Sequence, residues 1–282
     1  MRIIASVAAM QRLARQWRRA GRAVAFVPTM GFLHEGHASL MRRARRACGA
    51  RGVVVVSIFV NPTQFAPHED FAQYPRDPRG DAALCRQNGV DILFMPEAAE
   101  IYPPDFSVYV TEDRLSKPME GVTRPHHFRG VATVVAKLLN LVLPTAAIFG
   151  AKDFQQAAIV QRMARDLNFP VEIIVAPTAR ADDGLALSSR NKYLSAEERR
   201  QAPILFLALQ TAQAAVSQGP VPRGKLRKKI HRLIASQPAA RMDYVEFFDP
   251  GTLEPSALVK PGARMALAVW LGKTRLIDNA EL

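Results

Sequence analysis

Short apolar runs rich in β-branched residues alternate along the first 177 residues with stretches in which apolar side chains recur every three or four positions. The runs predict strands at 23–27, 53–60, 91–95, 146–149 and 171–175. The amphipathic stretches predict helices at 38–50, 81–88, 131–142 and 154–168. The second run reads VVVVSIFV. So continuous a run suits a strand buried on both faces of a parallel sheet, since a half-exposed strand would alternate. Strand–helix alternation therefore predicts a doubly wound α/β domain. Right-handed crossovers then put the carboxyl ends of the strands along one edge, where ligands bind.

The pattern changes after about Thr178. A polar loop carrying Asp182, Asp183 and Gly184 leads to Ser188, Ser189, Arg190 and Asn191. Ser195-x-x-Glu198 is a capping box, which opens a helix by satisfying two free N–H groups reciprocally. Helical patterns follow at 196–218 and 223–236, with a Gly-Pro break between them, and then strand-like runs at 244–248 and 265–271. Helices followed by antiparallel strands predict a smaller α+β domain. The expected division is 1–177 and 178–282.

Bulk composition narrows the picture. A chain of 282 residues, 49% hydrophobic and 22% charged, can bury a large core without disulfides or metals. Cys48 and Cys85 match no metal or redox spacing, which suggests a reducing compartment. Lys137, Asn140 and Pro144 interrupt the longest apolar stretch, so a membrane span is not expected. The first ten residues are only mildly apolar and Arg12, Arg15, Arg18 and Arg19 follow at once, unlike a secretion signal. A cytoplasmic protein is expected. The net charge of +13 gathers at 12–22, 42–46 and 223–232 and would attract polyanions in general. No aromatic residues interleave these clusters, so they read as solvated helix faces and not as a nucleic-acid surface.

The segment Pro28-Thr29-Met30-Gly31-Phe32-Leu33-His34-Glu35-Gly36-His37 follows the first predicted strand and opens a helix. A helix start there offers free N–H groups and the positive end of the dipole, which together make an anion site. Gly31 and Gly36 let the backbone approach a ligand closely. His34 and His37 can share a face and donate imidazole N–H groups to phosphate oxygens. Two structural histidines are the plain alternative. A zinc protease site is not, because that pattern spaces its histidines four apart. Nor is there a P-loop or a G-x-G-x-x-G fingerprint.

Three later strand exits face the same edge. Asn61-Pro62-Thr63-Gln64-Phe65 offers Gln64, both donor and acceptor. Gly150-Ala151-Lys152-Asp153 places Lys152 where it could meet phosphate charge, with Gln156 a turn into the next helix. Beyond the fifth strand, Ala179 and Leu187-Ser188-Ser189-Arg190 supply hydroxyls and a guanidinium suited to a triphosphate, or simply a turn leading to the Ser195 cap.

The H-x-G-H element resembles the signature of the nucleotidyltransferase and class I aminoacyl-tRNA synthetase superfamily, whose members bind ATP in a Rossmann-like domain. Taken with VSIFVNPTQF, RPHHFRGVATVVAKLLN, IFGAKDFQQ, GLALSSRNKYLS, DYVEFFDP and AVWLGKTRLIDN, the chain resembles the pantothenate synthetase family over nearly its whole length. That resemblance implies a ligase that joins pantoate to β-alanine through a pantoyl-adenylate. It implies ATP as substrate, Mg²⁺ with metal ligands left unknown, a homodimer, and a C-terminal lid domain. By matching motif it implies an ATP site of Met30, Gly31, Phe32, Leu33, His34, Glu35, Gly36, His37, Gly150, Ala151, Lys152, Asp153, Ala179, Leu187, Ser188, Ser189 and Arg190. His37 matches the proton donor, and His34 and Lys152 match the groups that meet the triphosphate. Gln64 and Gln156 match the pantoate pair, with Gln64 also toward β-alanine. Arg124 and His127 fall in a motif near the substrate cavity. The chain departs from the family's usual residues at His126, Ala151, Ala179 and Leu187. A nucleotidyltransferase of the same superfamily is the alternative, and an RNA-binding protein using the arginine clusters a third.

Overall fold

A computed structural model describes residues 1–66, 69 and 71–282. They form two compact units, Met1–Gly150 with Gln155–Pro177, and Ala151–Phe154 with Thr178–Leu282. The elements run β1 (Arg2–Ile4), α1 (Val7–Arg19), β2 (Val24–Thr29), α2 (Glu35–Cys48), β3 (Val53–Ile58), α3 (Pro78–Gln87), β4 (Ile92–Phe94), α4 (Ala98–Ile101), α5 (Glu120–Thr123), α6 (His127–Val142), β5 (Ala146–Gly150), α7 (Phe154–Asp166) and β6 (Glu172–Ala176). Then follow α8 (Ala196–Gln201), α9 (Ile204–Val216), β7 (Val221–Pro222), α10 (Arg223–Ala235), β8 (Ala240–Phe248), β9 (Leu258–Val259), β10 (Arg264–Leu271) and β11 (Thr274–Glu281).

The first unit is built on a six-stranded sheet in the order β1-β4-β3-β2-β5-β6, with every pairing parallel. The expected doubly wound α/β fold is present. Its cause is visible in β3, where Val53 and Val55 join one apolar cluster while Val54 and Val56 join another. The first cluster takes Met10 and Trp17 of α1, Val131 and Val135 of α6, and Val160 of α7. The second takes Met41 and Ala44 of α2 and Cys85 of α3. A strand with apolar residues on both faces can be satisfied only by helices on both faces. β1 is not foreseen by the pattern, because three residues are too few to show a period; pairing with β4 makes it a strand.

One residue of the basic clusters is not a solvated face. Arg45 donates to the carbonyls of Gly49, Gly52 and Gly89 and to the Asp91 carboxylate at 2.5 Å, which also accepts the Val54 N–H. The guanidinium thus ties the end of α2 to the entries of β3 and β4, spending several donors at once.

The second unit has a three-stranded antiparallel sheet, β11-β10-β8, whose apolar face packs on α9 and α10. This is the expected small α+β fold, with two corrections. The stretch 196–218 is two helices, not one, broken at Ala202–Pro203, since proline has no N–H for the helical bond to Arg199. And β11, which pairs with β10 from end to end, lies outside the predicted strands. It carries Asp278 and Asn279, both buried, which break the apolar pattern by which strands are recognised. Among the described residues no helix is long and apolar enough to cross a membrane.

Phe94 is fully buried at the centre of the first cluster and Leu207 is 46% exposed. Phe94→Ala should cost about 3–5 kcal/mol and Leu207→Ala well under about 1, read as shifts of the urea midpoint.

Candidate functional site

The candidate residues divide between the two units. In the first, the direction of winding reverses between β2 and β5. Ligands of doubly wound sheets bind outside the carboxyl ends of the strands at such a reversal. The turn leaving β2 carries Met30 to His37, and β5 ends at Gly150.

That turn is held from three sides. Thr29 Oγ1 donates to the Ser57 carbonyl at 2.7 Å and accepts the Gly31 N–H at 3.2 Å. Gly31 has φ +85°, and a Cβ there would come within 2.9 Å of Ile58 Cγ2 and 3.1 Å of the Asp81 carboxylate. Phe32, with φ +51°, enters the left-handed region without being glycine. Asp81 compensates by accepting the N–H of Phe32 at 2.9 Å and of Leu33 at 2.6 Å. Burial pushes the Asp81 carboxyl above its ordinary value, and the two amide bonds oppose that rise. The periodicity of the chain marks Asp81 only as the start of a helix. The available signal was its position one turn before Cys85, which puts a carboxylate on the buried face of α3.

His34 is the N-cap of α2 and His37 its third residue. The Gly36 N–H donates to His34 Nδ1 and the His34 N–H to His37 Nδ1, each at 3.2 Å. A nitrogen that accepts carries no proton, so each neutral ring bears its hydrogen on Nε2. The rings lie 4.2 Å apart, centroid to centroid. The predicted pair on one face is therefore present, as two oriented Nε2–H donors at a helix start. The Glu35 carboxylate pairs with Arg42, which leaves the Glu35 backbone for the helix start.

Gln64 is buried, and its amide donates to Met30 Sδ at 3.0 Å and accepts from Asn61 at 3.1 Å. The structure thus joins two sites that the sequence placed on separate loops. Asn61 also donates to the Gly130 carbonyl. Glycine is needed at 130 because a Cβ there would stand 2.4 Å from the Thr63 carbonyl oxygen. Arg124 grips Glu69 with two bonds of 2.7 Å and donates to the Gln64 carbonyl. His127 Nδ1 lies 3.0 Å from the same carbonyl. Burial first, and then Arg124, push the His127 imidazole down to about 4, so its Nδ1–H donates as a neutral ring at pH 7. His126 lies exposed at the N-cap of α6 and leaves these bonds intact. Gln156 stands partly buried on α7, while Gln155 beside it faces inward and holds the Leu115 and Pro118 carbonyls and the Glu120 N–H.

In the second unit the 179–187 segment closes on itself. The Leu187 N–H donates to the Ala179 carbonyl at 2.9 Å, and Ala181 N–H to that of Leu185. Two of the four departures, Ala179 and Leu187, bond to each other through backbone atoms. Ser188 then caps a short 3-10 turn, Ser189–Tyr193, by accepting the Arg190 N–H, so the turn chemistry weighed from sequence is real. Ala151, Lys152 and Asp153 form a 3-10 turn of their own, with the Lys152 ammonium 3.6 Å from Asp153. Among the described residues no group of three or more His, Cys, Asp or Glu could hold a metal ion.

A doubly wound parallel sheet with paired histidines at the helix start beyond its reversal defines a Rossmann-like α/β protein. The model of the pantoate–β-alanine ligase family matches residues 2–281. The chain belongs to that family. It is 48% identical over 280 residues to the pantothenate synthetase of Herpetosiphon aurantiacus, covering 99% of each chain. With that of Chloroflexus aurantiacus it is 51% identical, covering 94% of each. The crystal structure of pantothenate synthetase from Thermus thermophilus superposes with a TM-score of 0.90 at 46% identity, covering 100% of this chain and 99% of that one. The Francisella tularensis pantoate–β-alanine ligase, complexed with β,γ-ATP and β-alanine, superposes at 0.82 with 32% identity, covering 100% and 97%.

Two outcomes follow from this geometry. Asp81→Ala strands two amide N–H groups and should destabilise the fold by about 1–3 kcal/mol, measured by chemical denaturation. His127 has its pKa lowered in the fold, so the unfolded chain binds a proton first as pH falls. Stability should therefore drop between the ordinary value near 6.5 and about 4, by no more than about 3 kcal/mol. His127→Gln should flatten that part of the stability–pH curve.

Proposed function

We propose that this chain condenses pantoate with β-alanine, using ATP and releasing AMP and pyrophosphate, by way of a pantoyl-adenylate. The observation that carries the reading is the pair of Nε2–H donors of His34 and His37 at the start of α2. Family membership over the whole chain supports the substrates. ATP and β-alanine, the ligands of the Francisella tularensis relative, come to this chain by that kinship.

In the first step a pantoate carboxylate oxygen bonds to the α-phosphorus of ATP, and the bond to the bridging oxygen breaks to release pyrophosphate. Negative charge gathers on phosphate oxygens, which oriented N–H donors stabilise because they need no reorganisation. His34 and His37 would serve there, with His37 donating its Nε2–H in a hydrogen bond to the departing pyrophosphate. Lys152 would add a cation, and Ser188 and Ser189 hydroxyl donors. The backbone of Met30, Gly31, Phe32, Leu33, Glu35, Gly36, Gly150, Ala151, Asp153, Ala179, Leu187 and Arg190 completes the proposed nucleotide contacts.

Gln64 and Gln156 would hold pantoate. The Gln64 N–H now rests on a thioether sulfur, a weak acceptor that a carboxylate or hydroxyl oxygen can replace. In the second step the β-alanine amine bonds to the activated carbonyl carbon, the bond from that carbon to the phosphate oxygen breaks so that AMP departs carrying the oxygen, and the amine proton passes to solvent. Holding the reactants in line supplies the proximity term.

Mg²⁺ would arrive on the triphosphate, since the described residues offer no dedicated cage and this ion keeps most of its water and phosphate ligands. A homodimer and a cytoplasmic setting belong to the same proposal, on the family resemblance.

The test is exchange of labelled pyrophosphate into ATP with pantoate and Mg²⁺ present and β-alanine absent. Exchange that requires pantoate is expected, with added β-alanine diverting flux to AMP. Folded protein showing no exchange would overturn the free adenylate and favour the nucleotidyltransferase alternative. Lys152→Ala should slow adenylation by about 10²–10³, the loss typical of one transition-state donor.

A further inference from the structure

We propose that Asn279 is a positioning residue for Lys152, acting on the backbone of the turn that carries it. This rests on the reading above that Lys152 meets the triphosphate. Asn279 stands on β11 and is 5% exposed. Its Nδ2 donates to the carbonyl of Ala151 at 2.8 Å and to that of Lys152 at 2.9 Å. Its Oδ1 accepts from Arg264 at 2.7 Å. The amide therefore uses both N–H groups and its carbonyl. Its orientation is fixed by chemistry, since only oxygen can face a guanidinium and only nitrogen can face two carbonyls. Arg264 in turn lies over the Phe154 ring, 4.1 Å from its centroid, at the far end of the same turn.

The turn Ala151–Asp153 is a single turn of 3-10 helix, too short to be rigid by its own bonds. A fork of two hydrogen bonds on consecutive carbonyls fixes the peptide planes on either side of the Lys152 Cα. That sets the direction in which the lysine side chain leaves. The residue before it does the same for the other candidate segment of this unit. Asp278 takes Arg180 through two bonds of 2.6 and 3.0 Å, and Arg180 also donates to the Gly184 carbonyl within the loop from Ala179 to Leu187. Two neighbouring buried polar residues of β11 thus hold the two segments proposed to contact the nucleotide.

The experiment is a double-mutant cycle on the full chain between Asn279→Asp and Lys152→Ala, read as the single-turnover rate of adenylate formation at saturating ATP and pantoate. Asn279→Asp keeps the acceptor for Arg264 but sets a carboxylate against two carbonyls. Alone it should lower the rate about 10–100-fold, as misplacement of a reacting group does. In the Lys152→Ala background it should change the rate less than about 2-fold, because the group it positions is gone. Equal loss in both backgrounds would overturn the proposal in favour of a general structural role. A Lys152→Ala protein with near-full activity would instead overturn the role of Lys152 itself. Asn279→Ala, which buries no charge, replaces the aspartate variant if that one does not fold. Loss of fold by both would also overturn the positioning role.

Discussion

The Asp81 carboxylate receives the N–H groups of Phe32 and Leu33 as the chain leaves β2, and the placement of the first unit's paired histidines depends on that contact. Without it a non-glycine residue at φ +51° would have no reason to stay there. With it, the turn delivers His34 to the N-cap of α2, where backbone N–H groups donate to Nδ1 of both imidazoles and so leave the hydrogen of each neutral ring on Nε2. A helix start, a strained turn and a buried acid are separate elements of structure. Here they act as a single device for presenting N–H donors.

The same economy recurs at Gln64. Its side chain reaches Met30 of the first turn, and its carbonyl is gripped by Arg124 and by a neutral His127. The neutrality of His127 follows from burial first and the Arg124 guanidinium second, which together outweigh the opposing carboxylates of Glu120 and Glu69. Gly130 lets α6 approach this loop closely enough for Asn61 to bond its carbonyl. Gln64 is thus held through its backbone as well as through its side-chain amide.

In the second unit the supporting contacts come from the end of the chain. β11 carries Asp278 and Asn279 into the interior, where a lone acid or amide would be costly. Each is satisfied by groups belonging to candidate nucleotide-binding segments, Arg180 in one case and the Ala151 and Lys152 carbonyls in the other. Buried polar residues of this kind stabilise the fold only while those segments stay in place, which couples the integrity of the unit to the geometry of its candidate site.

The parallel sheet and the pair of imidazoles at the start of α2 were legible in the chain. The VVVV run requires helices on both faces, the alternation requires parallel crossovers, and H-x-G-H after a strand puts two imidazoles at a helix start. These are local or periodic signals, so a single chain displays them. The tertiary structure alone decided what holds the donors in place. Asp81 lies 48 residues from Leu33, and Asn279 lies 127 from Lys152. Neither shows a period, and each looks like an ordinary polar residue until the fold brings it against its partner. β11 shows no strand period for the same reason, because the buried Asp278 and Asn279 spoil its hydrophobic pattern. Local propensity and periodicity report what a segment will become. Contacts across a hundred residues depend on packing, and only the folded chain contains them.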